Sequence, residues 1–296
     1  MLLILGCGYV GEHLALAMIR QGWKVAATCR SEIRAENLRR LGIEAHCTVH
    51  PEKLPFCLLE QTEAILDSIP PAKEDDGPAP EQVQWLPTLA RRLRNLRWAG
   101  YLSSTSVYGD CQGAWVDEQH PCTPSHARGH ARLLTEQAWL ASGLPVEVFR
   151  LAGIYGPGRN LARRLMQGNY AVVRWQPPHY SNRIHVQDIV EALIAAINRP
   201  RPERIMNLSD DLPLPHDEYV LELAQAIRAP TPSVLSPSQA ERMMSARQLD
   251  FFRDSKRICN QRLHQELLPH LRYPNFRYAL KELSREAEGA FTGGSG

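Results

Sequence analysis

Apolar residues fall in short blocks along the first half of the chain, and the length and spacing of each block predict an element. Leu2 to Leu5 is a wholly apolar run, as a strand buried on both faces requires. Behind it, Val10, Leu14, Ala17 and Met18 recur at helical spacing. Lys24 to Thr28 predicts a second strand, Glu32 to Leu41 a helix, and the stretch near Glu44 to Val49 a third strand. Thr62 to Ile69 predicts strand four. A helix over Glu81 to Leu96 would bury Val83, Leu86, Leu89 and Leu93. Strands thus alternate with helices from residue 1 to 151. That order predicts right-handed crossovers and a parallel sheet covered on both faces.

Beyond Arg150 the alternation loosens. Asn160 to Met166 predicts a helix, Arg174 to Tyr180 an irregular polar-aromatic loop, and Asp188 to Ile197 an amphipathic helix. Asp188 stands near the start of that helix, where a carboxylate suits the dipole. Pro200 to Pro202 and Pro230 to Pro237 punctuate short elements. Pro71 to Pro80 is a polar, proline-rich loop at the expected ligand edge of the sheet, either plainly solvated or closing over a ligand.

The junction between the first strand and the first helix carries the chemistry. It reads Gly6-Cys7-Gly8-Tyr9-Val10-Gly11, a Gly-x-Gly-x-x-Gly turn of the kind that seats a dinucleotide pyrophosphate on a helix N-terminus. Gly6 makes the turn, Gly8 lets the backbone approach the phosphates, and Gly11 lets helix and strand pack closely. Tyr9 and Val10 complete the cofactor turn. With the strand order above, this predicts an α/β fold with a Rossmann-type doubly wound parallel sheet. Residues 1–155 would form the dinucleotide-binding core. Residues 156–291 would form a smaller, mostly substrate-binding α/β portion, with some elements returning to the core, and residues 292–296 a flexible tail.

Ligands in such sheets bind beyond the carboxyl ends of the strands, where Gly6 to Gly11, Arg30, Ser31, Ser68 and Ser103–Ser104 would converge. Arg30 lies nineteen residues after Gly11, and no acidic residue occurs from Val25 to Ser31. A guanidinium there can pair with a 2′-phosphate that a carboxylate would repel. The expected cofactor is therefore NADP in preference to NAD. The plainer alternative is a surface arginine opening the second helix.

Composition narrows the class. With 44% hydrophobic and 22% charged residues in 296, the chain reads as an ordinary globular protein. A formal net charge of +2 points to no nucleic-acid partner, and no apolar run is long enough for a membrane span. Seven cysteines without paired spacing suggest free thiols, and no His/Cys cluster suggests a metal. No signal peptide precedes the first strand, so the expected location is cytoplasmic. The expected partner is a small-molecule substrate, and a homodimer stays open.

A second signature follows. Ser103-Ser-Thr-Ser-Val107-Tyr108-Gly109 leads to Trp115-Val-Asp-Glu118, Pro121, Pro124 and Glu136, then to Phe149-Arg150 and Tyr155-Gly-Pro-Gly158. These motifs, with Arg183-Ile-His-Val-Gln-Asp188 and Met206-Asn207-Leu208, resemble the extended short-chain dehydrogenase/reductases, the family of NAD-dependent epimerases and dehydratases. The resemblance covers residues 1 to 210, and Asp254 to Ile258 resembles the segment that closes those proteins more loosely.

The resemblance implies a Ser at the end of strand five that holds the substrate oxygen, and here that position is Ser104. It also implies a Tyr-x-x-x-Lys pair on the next helix, the Tyr as general acid/base and the Lys on the nicotinamide ribose. Those positions fall on Arg128 and Arg132. Arginine stays protonated, so Arg128 cannot shuttle a proton as a tyrosine does. Arg132 can still donate to a ribose. The two arginines share a helical face, and together they would favour an anionic substrate. Alternatively, both make salt bridges on a solvated helix.

His126 and His130 titrate near neutrality but stand about 200° around the helix from the arginines. Tyr108 and Tyr155 read as structural Tyr-Gly turns, and His185 as a packed strand residue. Arg159, Arg174 and Arg183 could line the cleft. Chains with this loss resemble the atypical short-chain dehydrogenase/reductases. The expected function is an NADP-dependent oxidoreductase or epimerase acting on a small anionic or nucleotide-linked substrate. The alternative is a non-catalytic NADP(H)-binding sensor.

Overall fold

Leu2–Leu5 (β1) is buried at every position, and its side chains go alternately to two separate cores. Leu2 and Ile4 join one cluster, Leu3 and Leu5 the other, as a strand with period two between helical layers must. The computed structural model describes residues 1–70, 80–245, 249, 252 and 254–292. The other strands of its central sheet are Val25–Cys29 (β2), Glu44–Cys47 (β3), Ala64–Asp67 (β4), Trp98–Ser104 (β5), Val146–Leu151 (β6) and Ile205–Leu208 (β7). All pair in parallel, in the order β3-β2-β1-β4-β5-β6-β7. The order reverses between β1 and β4, so a cleft opens at their carboxyl ends.

One face is covered by Tyr9–Arg20 (α1), Glu32–Arg40 (α2) and Val186–Asn198 (α7), with Leu14, Met18, Leu38 and Leu193 in its core. The other face is covered by Glu81–Ala90 (α4) and Ala127–Leu140 (α5), where Trp85 and Trp139 meet edge to face at 6.3 Å. A third core lies under the C-terminal portion. There Ala162–Met166 (α6), His216–Ala226 (α8) and the C-terminal helix Leu280–Thr292 gather Leu165, Tyr219, Leu223, Phe276 and Leu283. Although α7 and β7 follow that portion's first elements in sequence, they complete the central sheet and its cover.

Several expectations shift. The helix starting at Glu81 ends at Ala90, and Val83 is exposed. Gln82, Trp85, Leu86 and Leu89 take the inward face, the Gln82 amide donating to Ile69 O. Phe56–Glu60 (α3) was not anticipated. Nearly all of the Pro71–Pro80 loop and of the 292–296 tail lies outside the described residues. All seven cysteines are free. Among the described residues no helix is long and apolar enough to cross a membrane, and no cluster fit for a metal ion occurs.

Two short pairings shape the cleft. Gly153–Tyr155 runs parallel to Arg183–His185, and Trp115–Val116 runs parallel to Arg257–Ile258. The second ties the segment after Asp254 to the loop beyond β5.

Candidate functional site

The glycine turn has the geometry its spacing predicts. Gly6 adopts φ +67°, and a Cβ there would stand 2.6 Å from Ile69 Cγ1. Its N–H donates to Thr28 Oγ1, and Ser68 Oγ donates to its carbonyl, each at 3.0 Å. Ser68 therefore braces the turn. A Cβ on Gly11 would meet Ile4 Cγ2 at 3.0 Å, the close helix–strand approach. Gly8 differs. A Cβ there would meet only Gly6 O, at 3.8 Å, and its backbone is extended. Nothing among the described residues requires glycine at position 8. Because Gly8 is the N-cap of α1 and brings no capping side chain, the first N–H groups of α1 face the cleft without a side-chain acceptor. Val10 is buried, so only its main chain is available to a ligand.

At the end of β2, Arg30 is exposed and makes no hydrogen bond or ion pair among the described residues. Ser31 caps α2 by accepting from Arg34 N at 3.3 Å. Arg34, not among the expected site residues, donates to Cys7 O at 3.2 Å and pairs with Glu12 at 2.7 Å. A second cation thus stands over the glycine turn. Tyr9 reaches in the other direction: its hydroxyl donates to Pro157 O at 2.9 Å, under the Arg159 guanidinium.

Ser103 and Ser104 separate. Ser104 is half-buried, and its Oγ accepts from Ser106 N at 3.2 Å, leaving its own proton free to donate. Ser103 is buried and donates to Glu136 Oε1. Glu136 in turn accepts from Arg150 Nε at 3.2 Å and Nη2 at 2.8 Å. Arg150 donates to Tyr108 Oη at 3.0 Å, and Tyr108 donates to Asn207 Oδ1 at 2.7 Å. Asn207 N donates to Glu118 Oε1. Burial pushes the Tyr108 hydroxyl up to about 12, against the pull of Arg150, so it keeps its proton near neutrality and does not shuttle it.

The two arginines also part. Arg132 turns to the sheet, donating to Leu102 O and to Tyr101 Oη at 3.4 Å. Arg128, one turn earlier, is exposed and unpaired among the described residues. Neither makes a salt bridge there, and the two guanidinium groups do different things. His130 Nδ1 lies 3.0 Å from His126 O, and His126 Nε2 lies 3.5 Å from Asp254. Asp254 also accepts from Ser125 and sits 3.8 Å from the buried Lys256 amine. Burial holds that amine below its ordinary value. Sequence spacing gave no signal for this Asp254–Lys256 pair, which the Trp115–Arg257 strand pairing brings to the start of α5.

His185 caps α7 through Nδ1, stacks on Tyr273 at 3.6 Å, and lies 3.4 Å from Glu282 Oε1. Burial, then the charges of Arg272 and His13, lower its pKa to about 4 from 6.5. The unfolded chain takes up a proton between these values that folded His185 refuses. Its contribution to stability is therefore complete above pH 6.5 and is lost on acidification toward 4. His185→Asn keeps a capping acceptor and removes the titration. In urea unfolding, the stability difference should shift in the variant's favour by at most about 1.4 kcal/mol per unit of falling pH. A difference that is flat with pH would refute this. Asp188 lies in the first turn of α7, but its carboxylate accepts from Arg272 N at 2.7 Å and Tyr273 N at 3.1 Å. Burial raises its pKa to about 6.

Of the remaining arginines, Arg174 pairs with Asp217 at 3.0 Å, and Arg183 is buried over the Tyr219 ring.

This arrangement can be set beside known proteins. No protein-family model matches the chain. A functionally unknown conserved protein from Silicibacter pomeroyi DSS is 37% identical to it, with a TM-score of 0.86 over 97% of this chain and 99% of that one. The chain belongs to the same family as that protein. Protein YeeZ of Escherichia coli K12 is 28% identical over 275 residues, 87% of this chain and 92% of YeeZ. UDP-glucuronic acid 4-epimerase from Bacillus cereus, in complex with UDP-glucuronic acid and NAD, shares the fold at 13% identity, with a TM-score of 0.76 over 99% of both chains. The expected α/β sheet of Rossmann type is thus the observed one, and its structural neighbours include NAD-bound enzymes of the epimerase/dehydratase kind.

Proposed function

We propose that the chain binds NADP(H) and acts as an oxidoreductase or epimerase on a small anionic or nucleotide-linked substrate. The observation that carries this is the space at Gly8. A glycine that the protein's own packing does not need stands before an uncapped helix N-terminus, where a pyrophosphate fits. Gly6, Gly8, Tyr9, Val10 and Gly11 would hold the pyrophosphate through their main chain, with Ser68 bracing the turn. Arg30, without a partner among the described residues, and Ser31 favour a 2′-phosphate and hence NADP over the NAD of the epimerase neighbour.

When bound, a nicotinamide supplies hydride exchange with a carbon of the substrate. Ser104 would orient the substrate oxygen through its free proton. Arg132, already anchored on Leu102 O, holds its guanidinium at the end of β5. Arg128 contributes positive charge and no proton transfer. The resemblance puts it in the tyrosine position, and its exposed guanidinium supports the second reading, a sensor that binds NADP(H) without turnover.

Titration calorimetry tests the cofactor assignment. NADPH should bind about tenfold or more tightly than NADH, and Arg30→Ala should erase that preference, because one charge-assisted contact to phosphate accounts for it. Equal affinities in the wild type would remove Arg30 from the site. NADPH oxidation against a panel of carbonyl acids and sugar nucleotides then separates enzyme from sensor.

A further inference from the structure

Few buried side-chain polar atoms among the described residues lack a hydrogen-bond partner, and three of them share one neighbourhood: Tyr155 Oη, Arg183 Nη1 and Asp210 Oδ2. The backbone brings them together. Tyr155 pairs with His185 in the register that sets Gly153 opposite Arg183, and Asp210 N donates to Arg183 O at 2.6 Å. Tyr155 is 4% exposed, Arg183 5% and Asp210 1%.

The guanidinium of Arg183 lies 3.5 Å above the Tyr219 ring, and its Nη2 donates to Ser181 Oγ. Both contacts fix its plane and leave Nη1 unused. Arg183 makes no ion pair among the described residues, although a buried, unpaired guanidinium costs several kcal/mol. Asp210 does not compensate it. Burial raises this acid to about 8, even with Arg183 nearby, so near neutrality it is mostly protonated and can donate. The Tyr155 hydroxyl, raised by burial and by the charges of Asp210 and Asp188, also keeps its proton.

Three donors, one of them a cation, therefore stand in a buried place with no anion among the described residues. Tyr155 directly precedes the Gly156 turn, where a Cβ would stand 2.8 Å from Tyr9 Oη. The place is thus linked to the glycine turn of the cofactor site.

We propose that Arg183, Tyr155 and Asp210 form a subsite for the carboxylate of a small substrate. One cation beside an acid suits a planar monoanion, which a guanidinium grips side-on, better than a phosphate dianion. This deepens the reading of the chain as a dinucleotide-dependent protein with an anionic substrate, and it rests on that reading.

Calorimetric titration of the full chain with succinate, with inorganic phosphate in parallel, tests it. NADPH is titrated separately into each protein. Succinate should bind at one site per chain. Tyr155→Phe, which keeps the ring, should weaken it by about tenfold, and Arg183→Lys by more. NADPH affinity should be unchanged in both variants. Should Arg183→Lys fail to fold, Tyr155→Phe decides. The subsite is overturned if succinate does not bind, if phosphate binds and succinate does not, or if Tyr155→Phe binds succinate like the wild type. A wild-type protein that binds NADPH and not succinate overturns only the subsite. A wild-type protein that binds succinate and not NADPH overturns the cofactor reading.

Discussion

Replacing Arg150 by methionine should lower the free energy of unfolding by about 3–5 kcal/mol, the range for breaking a buried ion pair by removing one partner. Arg150 is 4% exposed and lies at the centre of a network that crosses three elements. It holds both oxygens of Glu136 on α5 and the hydroxyl of Tyr108, which reaches Asn207 on β7. Burial opposes the charge on Arg150, yet Glu136 outweighs burial and raises its pKa. Methionine fills much of the volume, but it leaves the Glu136 carboxylate uncompensated and Ser103 as its remaining side-chain donor. A second substitution, Glu136→Leu, should recover much of the loss, because removing both charges removes the desolvation cost as well. Urea unfolding of the two single variants and the double variant measures this coupling. Additive losses would show that the network carries no specific pairing.

That network explains what in the sequence was legible. Tyr108, Glu118, Glu136, Arg150 and Asn207 all belong to motifs on which the resemblance to the short-chain dehydrogenase/reductases rests, and the structure joins them in one chain of hydrogen bonds. They hold β6, β7 and α5 together with the Tyr108 turn, so they report the fold. The sheet itself was readable because β1, β2 and β6 are buried at every position and must be continuous apolar blocks or carry paired polar groups. Helix ends and faces were less so. Val83 has the right spacing for the core, but Gln82 finds a backbone acceptor, and the helix turns its Trp85 face inward.

The glycine turn was readable because Gly6 and Gly11 answer local demands of turn and packing, and Gly8 completes the spacing. Arg34 over Cys7, the seating of Asp254 against Ser125 and His126, and the Tyr155–Arg183–Asp210 group were not, since each depends on contacts between residues distant in sequence. The Arg128/Arg132 spacing puts both on one face of α5 by helix geometry. It could not show that Arg132 would find the Leu102 carbonyl while Arg128 stays in solvent.

Gly8→Ala should weaken NADPH binding roughly a hundredfold while leaving the melting temperature of the free protein nearly unchanged. The fold has no objection to the methyl group: the backbone at Gly8 is extended, and the nearest atom to a Cβ is Gly6 O at an ordinary contact distance of 3.8 Å. The ligand does object, because a methyl there holds a pyrophosphate away from the first N–H groups of α1. Losing two such charge-assisted hydrogen bonds, at about 1.5–3 kcal/mol each, gives an effect of that size or more. Gly6→Ala is the contrast. At φ +67°, with a Cβ only 2.6 Å from Ile69, it should destabilise the free protein whatever it does to the ligand. Thermal unfolding and calorimetry on both variants separate the two roles. If Gly8→Ala bound NADPH as tightly as the wild type, the phosphate would lie elsewhere. If it instead unfolded as early as Gly6→Ala, glycine at position 8 would serve the fold, and the space at Gly8 would no longer speak for a cofactor.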